Sequence, residues 1–179
     1  GKREERVAVV VLERQTLNST LNPESAYLLV RRPEGGLLGG LWEFPSAVTE
    51  LEATSSDFYA PVDAVVDAVF NPRCGELKSR TELGEVTHTF SHVRHTYVVR
   101  HEVVVVTETE ANGPERGGGE EGGCREWRWV TATELDTLGL SSGVRKIQTL
   151  IGKKEKTVKV KPGESAIGKM FAAKKAKTG

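Results

Sequence analysis

The spacing of apolar and polar positions changes several times along the chain, and each change predicts an element. Residues 6–13, RVAVVVLE, form a run that is largely β-branched and apolar, the pattern of a buried strand. Polar NSTLNPES separates this run from a second one, AYLLVRR, and the two are expected to pair as a long-looped hairpin. RPEGGLLGGLWEFP then loses all period, because four glycines and two prolines bracket Leu37, Leu38, Leu41, Trp42 and Phe44. Between Asp57 and Phe70 the steps become three and four residues (Val62, Val65, Val66, Val69, Phe70), which predicts a helix that Asn71-Pro72 ends. Residues 83–90 and 94–107 read as two more strands, followed by ETEANGPERGGGEEGG within 108–123, expected to be a flexible insert without regular structure. REWRWV, residues 125–130, alternates as a strand. Thr131 or Thr133 is placed to cap the short helix ATELDTL, and Ser141 or Ser142 a second helix with Val144, Ile147, Leu150 and Ile151 on one face. The order β-β-loop-α-β-β-β-α-α predicts an α+β fold, a mixed sheet packed between helices, over residues 1–152.

Composition adds constraints to this outline. Hydrophobic residues make up 37% of the 179, enough for a real core. The chain has no run of 18 apolar residues, and its opening GKREERVAVVV lacks the layout of a signal peptide. A soluble, intracellular monomer with no membrane partner is therefore expected. Cys74 and Cys124 are far apart and form no CxxC pair, which fits a reducing compartment and argues against an iron–sulfur or structural zinc site within the chain. The neutral total hides an asymmetry. From Lys153 onward nine lysines stand against Glu155 and Glu164, a net +7 that leaves −7 for the body. An acidic body does not coat DNA with a whole face, so any contact it makes with nucleic acid is expected to be local. Residues 153–179 are expected to be a basic, disordered tail.

The densest candidate chemistry is EVTHTFSHVRHTY, residues 85–97, where Phe90-Ser91-His92 interrupts a strand and histidines recur at 88, 92 and 95, with His101 beyond. On a continuous strand His88 and His92 share one face and His95 takes the other, which is a poor arrangement for a metal. Ser91 and His92 are neighbours without a Gly-x-Ser-x-Gly turn, which is equally poor for a nucleophilic dyad. A loop at a strand junction, by contrast, can present the Ser91 hydroxyl as donor and acceptor between an aromatic ring and an imidazole.

LLVRRPEGGLLGGLWEFP resembles the opening of the Nudix fold, in which Gly-Leu-Trp-Glu-Phe-Pro leads into a helix. In hydrolases of that fold the helix carries an Arg-Glu-x-x-Glu-Glu core, whose carboxylates share a face and hold Mg²⁺ against a diphosphate. Here the helix offers Asp57, Asp63 and Asp67 with no adjacent carboxylate pair, and Asp63 and Asp67 read as a solvated face. A Nudix-like fold without a functional Nudix box, and without a metal, is the expectation.

GLLGGLWEFPS (36–46), LGEVTHTFSHVRHTY (83–97), WRWVTATEL (127–135) and the closing helix together resemble the C-terminal domain of the MutY family, adenine DNA glycosylases of the eukaryotic MUTYH type. The resemblance runs over residues 6–152. It implies a domain that recognises 8-oxoguanine opposite misincorporated adenine in double-stranded DNA during base excision repair, with Phe90, Ser91 and His92 at the lesion. Arg31, Arg32 and Arg94 are candidate phosphate contacts near this loop, whereas Trp42 and Phe44 read as core. It further implies that the glycosylase chemistry and a 4Fe-4S cluster belong to a helical domain outside this chain, that no catalytic residue or cofactor lies within it, and that the protein works in the nucleus, with the mitochondrion as a second location. Two other readings remain at this stage: an 8-oxo-nucleotide or other Nudix pyrophosphatase with a degenerate metal site, and a sliding-clamp interaction module. The second draws on ESAIGKMFAAKK, residues 164–175, which resembles a PCNA-interacting peptide through Ile167, Met170 and Phe171, although Glu164 stands where glutamine is expected and Met170 replaces an aromatic.

Overall fold

A computed structural model describes residues 2–17, 25–36, 38–50, 53, 57–69, 75–111, 113–119 and 124–158. The first apolar run becomes β1 (Arg3–Leu17), with every residue from Val7 to Arg14 buried. It has no polar alternation because both of its faces are covered. Ala8, Val10 and Leu12 meet Phe58, Tyr59, Val62 and Val66 around helix α1 (Ala60–Val69). Val7, Val9 and Val11 meet Leu135 of α3 (Ala132–Thr137) and Val144, Ile147 and Ile151 of α4 (Ser142–Val158).

The remaining strands are β2 (Ser25–Arg31), β3 (Trp42–Glu43), β4 (Ser46–Thr49), β5 (Glu76–Thr89), β6 (Val93–Thr107), β7 (Arg116–Gly119) and β8 (Cys124–Thr131). They form one mixed sheet in the order β5-β6-β1-β2-β8-β7, with β3 on β2 and β4 on β1. β1 and β2 pair antiparallel, as a hairpin requires. β1 and β6 pair in parallel over their full lengths, from Arg3 opposite Val93 to Leu17 opposite Thr107. This is the α+β arrangement expected, a mixed sheet packed between helices. α3 starts at Thr131, whose side chain accepts the Glu134 N–H, a cap of about 1 kcal/mol. Ser141 receives the Val144 N–H at the start of α4.

Two expectations are corrected. The segment 108–123, expected to be a flexible insert without regular structure, holds a short helix α2 (Glu108–Ala111) and β7, which borrows its pairing from β8. The apolar pattern stops at Gly152, but α4 continues to Val158. One helical glycine costs only about 1 kcal/mol, and the lysine- and glutamate-rich residues after it are good helix formers. β4, unmarked by any period, forms because β2 is too short to cover the first half of β1, where Arg6 to Val9 pair with Thr49 to Ser46 instead.

Candidate nucleic-acid interface

The Phe-Ser-His interruption is the tip of a hairpin. β5 and β6 pair antiparallel up to Thr89 opposite Arg94, and Phe90 donates its N–H to the Val93 carbonyl at 2.8 Å. Ser91 and His92 are left as a two-residue tip, both exposed. Two-residue hairpin loops usually need a left-handed residue. Among the described non-glycine residues only Leu38 has positive φ, so this tip is built from neither Gly nor Asn geometry. The absence of a turn signal in the sequence follows from that.

Neighbouring groups fasten the tip. The Arg3 N–H donates to the His92 carbonyl at 3.3 Å, tying the start of β1 to it. The half-buried Phe90 ring lies between two imidazoles, edge-to-face with His88 (centroids 4.5 Å) and His95 (5.1 Å). His95 is edge-to-face with Tyr97, and its Nε2 lies 3.0 Å from a Glu5 carboxylate oxygen while Nδ1 lies 3.4 Å from the Tyr97 hydroxyl. On the other strand, Lys146 of α4 donates to the Thr87 carbonyl at 2.9 Å. Burial, then the charges of Lys146 and His95, hold the His88 pKa below the ordinary 6.5. Burial and the Glu43 carboxylate push the Tyr97 phenol up to about 12, against the pull of Arg32.

The expected division of the histidines is corrected. His88 and His95 are cross-strand partners on one face rather than on opposite faces, because the chain reverses between them. His101 stands apart, 3.7 Å from Glu13, whose other carboxylate oxygen accepts the Tyr27 hydroxyl at 2.9 Å. Among the described residues no three His, Cys, Asp or Glu side chains group as a metal ion requires.

The three candidate arginines fall into two places. Arg94 adjoins the tip, half-exposed, with Glu4 at 3.6 Å. Arg31 and Arg32 end β2 and hold the glycine loop. Arg31 donates to the Gly40 carbonyl and pairs with Glu126 and Glu34, while Arg32 and Arg125 both reach the buried Glu43 at 2.8 and 2.9 Å. Together with α1 they line a cavity of about 990 Å³. Glu43 is thus the polar pin of GLWEFP, between core-facing Trp42 and Phe44. Gly39 lets this loop close tightly, since a Cβ there would stand 3.0 Å from the Gly35 nitrogen and the Pro33 carbonyl oxygen and would push that backbone apart by a few tenths of an ångström. The tail residues Ile167, Met170 and Phe171 lie outside the described residues.

The face beneath α1 differs. Asp63, expected to be solvated, pairs with buried Arg100, which also lies 3.2 Å from Glu102; Arg80 reaches the same Glu102 at 2.8 Å. The Arg100 guanidinium stacks over Tyr59 at 4.2 Å, and Tyr59 donates to Glu82 at 2.6 Å. Burial, then the Glu82 hydrogen bond, raises the Tyr59 pKa. A divalent cation held against a diphosphate needs carboxylates aimed outward on one helix face. The α1 acids do not fit that group, because Asp63 is turned to an arginine and no carboxylate adjoins Asp63 or Asp67 in sequence.

Residues 19–150 match the NUDIX domain family. The chain is 34% identical to an adenine DNA glycosylase of Arabidopsis thaliana over 126 residues, covering 68% of this chain and 20% of that protein. It is 32% identical to the Homo sapiens adenine DNA glycosylase over 148 residues, covering 81% and 23%. Its fold matches the C-terminal domain of mouse MUTYH, solved in complex with human PCNA, at a TM-score of 0.59 and 26% identity over 94% of this chain and 99% of that one. The chain therefore spans 20% and 23% of the length of these two glycosylases. Both the fold and the family match place it alike: the chain belongs to the NUDIX domain family and, within it, is similar to the C-terminal domain of MUTYH.

Proposed function

We propose that this chain is the lesion-recognition domain of an adenine DNA glycosylase, reading 8-oxoguanine opposite misincorporated adenine through Phe90, Ser91 and His92. The observation that carries the reading is the tip itself: two exposed polar residues on a narrow hairpin, fixed from behind by a clasped aromatic ring. 8-Oxoguanine bears a proton on N7 where guanine has a lone pair. The Ser91 hydroxyl can accept that proton while donating to the C8 carbonyl, which guanine lacks, and the turn's backbone carbonyls, being acceptors only, face a lone pair when guanine enters. One such unmade bond at a desolvated contact costs about 1–3 kcal/mol, roughly 5- to 150-fold in preference. His92 adds a donor beside Ser91 for the base or its phosphate. In this reading cleavage of the N-glycosidic bond, and the 4Fe-4S cluster, belong to a part of the protein outside this chain, and the protein acts in the nucleus, with the mitochondrion as a second location. PCNA is a second partner, engaged by residues 164–175 through Ile167, Met170 and Phe171. A metal-dependent pyrophosphatase is disfavoured by the Asp63–Arg100 pair.

The test joins the domain to a glycosylase domain and compares adenine excision opposite 8-oxoguanine and opposite guanine. Ser91→Ala is expected to lower the preference for 8-oxoguanine several-fold, and Phe90→Ala/Ser91→Ala/His92→Ala to remove most of it. Unchanged kinetics in the triple variant overturns the assignment.

A further inference from the structure

The tip has only two residues with which to touch a base, and the body behind it carries a net charge of −7. Something near the tip must hold the strand that presents the base, since sequence-independent affinity for DNA comes from phosphate neutralisation. We propose that Lys146 and Arg94 form a two-sided grip on the phosphates flanking the base presented to Ser91 and His92. The inference rests on the lesion-reading assignment above, and it adds a residue, Lys146, on a helix distant in sequence from the hairpin.

The placement follows from strand alternation. β6 pairs with β1 without a register break, so its side chains alternate strictly between the two faces. His95, Tyr97 and Val99 face α4; Arg94 and Val98 face the α1 side. Arg94 follows the closing residue Val93 directly and lies opposite Thr89. Lys146 arrives on the other face from α4, anchored to Thr87 two residues before Thr89. The two cations therefore flank the hairpin just behind its tip, one on each face.

Both charges are available. Lys146 is exposed, and among the described residues its bond is to a carbonyl, with no carboxylate within ion-pair distance. An ammonium has three donors, so the bond to Thr87 aims the group while leaving two for a ligand. Arg94 is 54% exposed and its partner Glu4 is 68% exposed at 3.6 Å, a pair of the kind worth at most about 1 kcal/mol and readily exchanged for a phosphate. The acidic remainder of the body repels a phosphate backbone, so cations on both faces at one end turn that end toward DNA.

The experiment titrates the 179-residue chain with duplexes containing 8-oxoguanine:adenine or guanine:adenine by NMR, from 20 to 200 mM salt. Lys146→Ala and Arg94→Ala are each expected to weaken binding to both duplexes by the same factor. Each should also lower the slope of log K against log salt by about 0.9, and the double variant by about twice that. Lys146→Arg and Arg94→Lys should restore the slope. A double variant with the parent slope overturns the grip, as does weakening confined to the 8-oxoguanine duplex, or no shift of either residue at millimolar duplex in 20 mM salt. The two readings fail separately. If the chain binds both duplexes equally while the slope still falls in the variants, Ser91 is not a lesion reader but the grip stands. If Ser91→Ala removes a preference that Lys146→Ala/Arg94→Ala leaves at parent affinity and slope, the reading stands and the grip does not.

Discussion

The face beneath α1 and the tip of the β5–β6 hairpin are both rich in polar groups, and they use them in opposite ways. Under α1 the charges are paired with one another: Asp63 and Glu102 share Arg100, Arg80 also reaches Glu102, and Tyr59 closes on Glu82, while Arg100 Nε has no hydrogen bond among the described residues. At the tip the polar side chains of Ser91 and His92 face solvent, and only the backbone and the Phe90 ring behind them are engaged. A polar site whose groups are already paired contributes to the fold. A ligand site needs groups that are held in place from behind and left open in front.

This contrast can be broken at either end. The largest effect is expected from Arg100→Met, which leaves Asp63 and Glu102 without their shared cation; unfolding in urea should show a loss of about 3–5 kcal/mol. If stability changes by less than about 1 kcal/mol, the network is not the structural unit described. Phe90→Ala should cost less, about 1–2 kcal/mol, because the ring is only half-buried, yet it should broaden or shift the Ser91 and His92 amide resonances. Unmoved amides would mean that the clasp does not hold the tip. The smallest effect is a pH dependence. His88 binds its proton less readily folded than unfolded, so the unfolded chain holds more protons just below pH 6.5 and stability falls as the pH drops through that window. The contribution is intact above pH 6.5 and lost below the folded pKa. Because Glu5, His95, Tyr97 and Lys146 surround the same cluster, the readout is the difference between parent and His88→Phe, measured in urea at pH 7.5 and 5.0. No difference in their pH trends removes His88 from the account.

How much of this was legible in the sequence depended on range. β1, β2, β6 and α1 follow from local period, and the Thr131 cap from one side chain and its spacing to Glu134. The parallel pairing of β1 with β6 has no local signature, since it joins residues about ninety apart. Ser91 stands out in the sequence as a hydroxyl between an aromatic and an imidazole, but the clasp behind it has no such signal. Placing His88 opposite His95 requires knowing that the chain turns at Ser91-His92, and that turn lacks the glycine or asparagine that marks most two-residue tips. Asp63 looked solvated because its partner, Arg100, lies thirty-seven residues away inside an apolar strand. Lys146 carried no signal at all, as one of several cations on an amphipathic helix.

The width of the hairpin carries a last consequence. Two paired strands stand about 5 Å apart, and the major groove of B-DNA, about 12 Å wide, admits a two-stranded ribbon. In the function proposed above, a probe this slender reaches a base while the bulk of its domain stays outside the duplex. Access to the base is then set by the cross-section of two strands, and the acidic surface behind them need not meet the phosphates.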